Sequence, residues 1–189
     1  MNTGLILLGI AIVVLVYAIS LYNNLVRLKN AVAQAWANID VLLKQRHDEL
    51  PKLVEVCKQY KQFEQETLQR VIAARSRVQT AREGHDIAAL GVAEGAMRAS
   101  LGGLFAVAEA YPELKANENF MQLQNRITGL ENGIADRREF YNDAVNINNV
   151  AVEQFPAVIV ANLFNFDAKP LLEFSTAEKT DVDMKALFS

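Results

Sequence analysis

The chain has 189 residues, 51% of them apolar, with 9 Gly, 4 Pro and a formal net charge of −3. That length suits one compact domain plus an appendage, and a composition rich in core residues and poor in turn residues points to long helices. The charge is spread along the chain with no basic block or stripe, which excludes the electrostatic footprint of nucleic-acid binding, and the single cysteine, Cys57, excludes an internal disulfide or a thiolate metal cluster.

Residues 1–26 carry no side-chain charge, and "LILLGIAIVVLVYAISL" at 5–21 is their most apolar part. A bilayer core of ~30 Å needs about 20 apolar helical residues, so residues 1–22 are predicted to be a transmembrane anchor, with Tyr17 and Tyr22 at its interface. A cleaved signal peptide is the competing reading, but "MNTG" lacks the positive charge such a peptide starts with. Arg27 and Lys29 follow the span and no Lys or Arg precedes it. The positive-inside rule then puts the N-terminus outside and the following domain in the cytoplasm, the reversed orientation being the alternative.

The apolar stripe does not stop at the membrane. Leu21, Leu25, Leu28, Val32, Ala35, Ile39 and Leu42 repeat at alternating steps of four and three, the heptad beat of a packed helix. Traced backwards, the beat gives Ala18, Val14, Ala11, Leu7 and Gly4. Gly4, Ala11 and Ala18 are small residues, one per heptad, of the kind that lets transmembrane helices approach closely. This face is predicted to associate with a second copy, making the protein a homo-oligomer.

Four helices are predicted after the anchor. The first continues to about residue 49, where Pro51 interrupts or kinks it, because proline removes a backbone donor and clashes with the preceding turn. The second spans roughly 51–82. "EGHD" at 83–86 reads as a stop and a start, with Gly84 as terminator and Asp86 as the next N-cap. The third runs to about Ala110, with Gly102 and Gly103 inside it as a weak point or a close approach. "YPELKANEN" at 111–119 is a loop in which Asn117 caps the fourth helix, about 118–154, and Pro156 ends that helix. "AVIVANLFNF" is read as a short helical turn capping one end of the bundle. The fold class is therefore all-α: an antiparallel up-and-down four-helix bundle, residues 23–166, after a single transmembrane helix. Residues 167–189 are expected to form a polar, loosely ordered tail.

Little in the sequence suggests chemistry. A carboxylate-histidine di-iron site needs Glu-x-x-His, but the residues three before His47 and His85 are Lys44 and Arg82. No phosphate-binding glycine loop or nucleophile elbow occurs. Cys57 lies on an apolar stripe and reads as a small buried hydrophobe; Trp36 flanks the first stripe and reads as core. Arg75, Glu131, Arg138, Asn142 and Asn146 sit at or near helical apolar faces. They are read as a structural polar network that fixes helix register, with a polar ligand groove as the alternative. No catalytic residue, cofactor or metal is expected.

Three stretches resemble the LemA family: "YNNLVRLKNAVAQAWANIDVLLKQRHDELPKLVEVCKQY" at 22–60, "YPELKANENFMQLQNRITGLENGIADRREFYNDAV" at 111–145 and "FPAVIVANLFNF" at 155–166. The resemblance covers most of residues 1–166, and the tail after Asp167 carries no such signal. It implies a bacterial, single-pass, membrane-anchored protein with a four-helix bundle, and relatives associated with membrane organelles. It supplies no catalytic activity. "LPKLV" at 50–54 matches the family's proline-containing helix start, and His47 stands where relatives often have Tyr. The expected function is a non-enzymatic scaffold in the bacterial inner membrane, whose partners are the lipid bilayer, copies of itself or another membrane protein. The alternative is an adaptor that regulates a membrane protease or envelope enzyme; a third reading is an enzyme with an unrecognised site between helices.

Overall fold

A computed structural model describes residues 2–60 and 63–173 of the chain. Among the described residues six helices run in order: α1 Asn2–Lys58, α2 Gln65–Glu83, α3 Ile87–Ala108, α4 Pro112–Lys115, α5 Glu118–Glu153 and α6 Ala157–Leu163. No described residue lies in a strand, and the fold is all-α as the sequence predicts.

The main departure is at Pro51. No helix ends at 49 and none starts at 51; α1 passes through the proline and ends at Lys58. Proline at 51 leaves the carbonyl of residue 47 without its usual helical donor. Arg75 of α2 supplies one: its Nε donates to the His47 carbonyl oxygen at 3.1 Å. Leu50, Leu53, Val54 and Cys57 on the same helix are buried, so the helix is held by packing on both sides of the proline. Burial of several apolar side chains, each worth roughly 1.5–3 kcal/mol, outweighs the ~3 kcal/mol that an interior proline costs.

Where α1 does end, the sequence shows no glycine or proline. The end is set by distant contacts. The Tyr60 hydroxyl donates to the Glu113 carbonyl at 3.3 Å and accepts from Asn117 Nδ2 at 3.3 Å, and the buried Phe63 ring lies 5.3 Å from that of Tyr111. The later connections follow the sequence more closely. Asp86 caps α3 by accepting from the Ala89 amide at 2.9 Å, and Asn117 accepts from the Phe120 amide at 3.1 Å at the start of α5. Gly84 is the C-cap of α2, but it has ordinary right-handed dihedrals; the left-handed residue of that turn is His85, with φ 53°. Gly102 and Gly103 are exposed with nothing within 4 Å of an added Cβ, so neither marks a close approach. The close approach is at Gly91, where a Cβ would stand 2.0 Å from the Glu173 carbonyl oxygen.

Contacts group the chain into two units. The first holds α1 up to Ile39 together with Arg137–Leu171. Its core gathers Leu25, Val152, Val160 and Ala161, with Leu21, Ala151 and Phe166 packed against them. Trp36, half-buried, meets the Tyr141 ring edge-on at 5.9 Å, as a core residue should.

The second unit holds Asp40–Asp136 and the chain from Leu172 on. Four long helical segments follow one another in it, the end of α1, α2, α3 and the first half of α5, with the single turn α4 in the connection before α5. Short connections join them, the up-and-down arrangement of an antiparallel bundle. Leu43 to Cys57 on α1, Leu68 to Val78 on α2, Leu90 to Leu104 on α3 and Phe120 to Ile134 on α5 present buried residues at helical spacing.

The tail expected to be loose is fastened over its described part. Asn149 of α5 grips Lys169 twice, its Nδ2 donating to the carbonyl at 2.9 Å and its Oδ1 accepting from the amide at 2.8 Å. Asn148 Nδ2 donates to the Asp167 carbonyl at 3.3 Å, and the Tyr141 hydroxyl to the Pro170 carbonyl at 3.0 Å. Leu172 is 1% exposed. Side chains of α5 thus take up backbone donors and acceptors along this segment. Residues 174–189 lie outside the described residues.

Candidate functional site

The most concentrated chemistry in the second unit is a charged cluster that the apolar pattern alone does not reveal. Continued past Leu42, the heptad beat falls on Arg46, Glu49 and Leu53. Arg46 and Glu49 occupy core positions of the stripe and are 1% and 4% exposed. The periodicity therefore contained the signal; the charge of the two residues concealed it.

Arg46 Nη2 and Nη1 donate to the two carboxylate oxygens of Glu94 on α3, at 2.5 and 2.9 Å. Nη1 also donates to Glu131 Oε1 on α5 at 2.5 Å. Glu94 is 2% exposed and Glu131 partly buried, and Arg98 Nε lies 3.7 Å from Glu131. Two guanidinium groups thus face two carboxylates, and their charges balance. Burial alone would lower the Arg46 pKa, but the charges of Glu94 and Glu131 and their hydrogen bonds raise it above its ordinary value. Glu49 pairs outward, with Lys52 at 3.1 Å and Arg126 at 3.2 Å. The fork-to-carboxylate geometry ties α1, α3 and α5 at a single register.

A second polar contact surrounds His47, the neighbour of Arg46. Arg75 Nη2 lies 2.6 Å from His47 Nε2. Arginine can only donate, so Nε2 accepts and the imidazole is neutral, with its proton on Nδ1. Burial and then the charge of Arg75 lower the His47 pKa below 6.5. Arg82 of the same helix pairs with Asp40 at 2.5 Å. Burial pushes the Cys57 thiol up to about 12, so it holds no thiolate at neutral pH. Among the described residues no three His, Cys, Asp or Glu are grouped to hold a metal ion.

The residues predicted as one polar network fall in different places. Arg75 and Glu131 belong to the second unit, where Arg75 binds His47 and Glu131 binds Arg46. Arg138, Asn142 and Asn146 belong to the first; Arg138 and Asn142 are half-buried and Asn146 is exposed. Asn148 and Asn149 of the same unit bind the chain at 167–169. Of the predicted membrane face, Gly4, Leu7, Ala11 and Val14 are exposed and Ala18 is half-buried. Nothing lies within 4 Å of a Cβ added at Gly4.

α1 is the helix among the described residues that is long and apolar enough to cross a membrane, and none of its most apolar window is buried within the chain. The fold and this helix define a membrane-associated, all-helical protein. A sequence profile of the LemA family matches residues 35–185, and the chain belongs to that family. The match reaches well into the tail, beyond the three stretches that carry the resemblance. Protein LemA of Metamycoplasma hominis is 27% identical over 170 residues, 87% of this chain and 74% of that protein. Magnetosome proteins MamQ 1 and MamQ 2 of Paramagnetospirillum magneticum are each 28% identical over 96 residues, 51% of this chain. Those matches span about a third of the magnetosome proteins' own length, 35%.

Proposed function

We propose that this LemA-family chain is a membrane-anchored scaffold that carries no catalytic site and assembles with copies of itself, so organising other proteins at the bacterial inner membrane. The observation that carries the reading is the face Gly4, Leu7, Ala11, Val14 and Ala18, which continues the heptad beat of the packed part of α1. On the exposed stretch of the span that regularity has no neighbour among the described residues to serve, whereas a second copy would use it. Arg27 and Lys29 favour an orientation with the N-terminus outside and the bundle in the cytoplasm. The buried charged cluster supports the same reading from the other side: Arg46 and Glu94 are sealed and mutually neutralised, which suits a rigid register and leaves no group facing a substrate.

The test replaces Gly4 and Ala11 with Ile, against a control pair Val13→Ile and Val16→Ile; Ala18 is left alone because it is half-buried. Both pairs add bulk without polarity. Cross-linked oligomers of the full chain in native membranes should be lost in the first pair and kept in the second. Equal oligomers in both would reduce the span to an anchor. An impermeant thiol label on Ala106→Cys, which is exposed on α3, tests orientation: labelling in intact spheroplasts would reverse it.

The adaptor reading has one feature in its favour. α2 and α3 leave an open groove of about 940 Å³ lined by small side chains such as Ala73, Ser76, Ala89 and Ala96. A partner helix fits such a surface, and an adaptor would co-purify with that partner in near-stoichiometric yield.

A further inference from the structure

We infer that α6 is a second membrane contact: its exposed apolar face, Phe155, Ile159 and Leu163 with Phe164, lies in the lipid headgroup–acyl boundary beside the point where α1 leaves the bilayer. The inference rests on reading the start of α1 as a membrane span, and it adds a lipid-facing role for a segment the sequence assigned to capping the bundle.

Three observations within the first unit carry it. Ile159 and Leu163 are one helical turn apart on α6 and are 60% and 72% exposed, and Phe155, just before the helix, is 76% exposed. The opposite face of α6, Val160 and Ala161, is buried in the core with Leu25 and Val152. The helix is therefore amphipathic in an unusual sense: one apolar face is covered by the protein, and the other has no cover from any described residue. Next, residues 154–166 contain no charged side chain. A solvent-facing turn of this kind ordinarily carries charge, and soluble proteins seldom leave a contiguous apolar patch bare.

The third observation selects the occupant. Tyr22 stands at the end of the apolar span, and its ring meets Phe164 edge-on at 4.8 Å and Phe166 at 5.7 Å. Leu21 packs against the same core that holds Val160 and Ala161. α6 is thus clamped to α1 at the position where the uncharged segment gives way to Arg27 and Lys29. Tyrosine at the end of a span belongs at headgroup level, and a short helix fastened to it with a bare apolar face is at the same depth. The bilayer covering α1 is continuous with this face, so lipid is the partner that the placement supplies. Seven helical residues rise only ~10 Å, far less than a crossing, so α6 lies at the surface.

The test uses the full chain reconstituted in liposomes, with an environment-sensitive fluorophore on a single introduced cysteine; the buried Cys57 stays unlabelled in the folded protein. Three positions are compared: Val14→Cys in the span, Leu163→Cys on α6 and Val92→Cys, an equally exposed apolar residue on α3. Nitroxide lipids labelled near the headgroup or deep in the acyl chain serve as quenchers. The expected result is deep quenching at Val14, quenching at Leu163 that is several-fold stronger from the shallow than from the deep lipid, and none at Val92. Quenching at Val14 with Leu163 matching Val92 would overturn the inference while leaving the anchor intact. Loss of quenching at Val14 itself would instead sink the anchor reading. A Leu163 label that is blue-shifted yet untouched by either lipid would mean that another protein surface covers α6, and would also overturn it.

Discussion

The passage of α1 through Pro51 makes a quantitative demand on Arg75. Proline deprives the His47 carbonyl of its helical donor, and Arg75 Nε replaces that donor from α2. Arg75→Met keeps the apolar stem and removes the donors. Leaving a carbonyl without its partner costs about 1–3 kcal/mol; because Arg75 is half-buried, the lower part of that range applies, about 1–2 kcal/mol. For a chain of this size each kcal/mol moves the melting temperature by about 2–4 °C. Pro51 is exposed, so Pro51→Ala sacrifices no packing and restores the amide that His47 lost. In the Pro51→Ala background the carbonyl is satisfied by its own helix, and Arg75→Met should then cost only the share of the Nη2 contact with His47 Nε2, about 1 kcal/mol or less. The four proteins, melted as full-length chains in detergent and followed by far-ultraviolet circular dichroism, form a double-mutant cycle. A coupling of about 1 kcal/mol is expected. Effects that add to within about 0.3 kcal/mol would refute the account, and the tolerance of Pro51 would then have to come from packing alone.

Three further expectations follow from other contacts. Glu94→Leu strands Arg46 with half its carboxylate partners and should destabilise by about 3–5 kcal/mol; adding Arg46→Met should recover most of that in the same melts, since Glu131 keeps Arg98 at 3.7 Å. His47 has a folded pKa below its ordinary 6.5. The unfolded chain therefore binds the proton first, and stability due to the neutral ring is present above 6.5 and is lost as pH falls from there through the folded value. His47→Gln, which still accepts from Arg75 but cannot titrate, should flatten the melting temperature over that window relative to the unmodified chain. Gly91→Ala puts a methyl group 2.0 Å from the Glu173 carbonyl. It should lift the segment at 167–173 off the protein, seen as faster hydrogen exchange across those residues with little change in α3.

The sequence made some of this legible and concealed the rest for definite reasons. The span and the stripe after it depend on composition and local periodicity, so they can be read directly. Asp86 and Asn117 act as caps because capping is a local bond between a side chain and an amide three residues on. Pro51 misled because a local rule was overruled by Arg75, 24 residues away in sequence by their numbering, on another helix. The end of α1 was invisible for the same kind of reason, since Tyr60 and Phe63 find their partners at 111–117. Arg46 is different: the heptad beat falls on it, and its charge masks a core position. The strap at 167–173 is polar and aperiodic, and nothing in its own residues shows that Asn148 and Asn149 will hold it.

The contact of Arg46 with Glu94 and Glu131 joins three helices that are far apart along the gene. Neutral drift at the codon of Arg46 or Glu94 would leave a buried charge short of its partners, so the three positions should be inherited as a set. A lineage that loses the arginine must lose a carboxylate close in time, or pass through a poorly folding ancestor. Across descendants of this chain, positions 46, 94 and 131 should therefore vary together or not at all, while the exposed helix faces around them diverge freely.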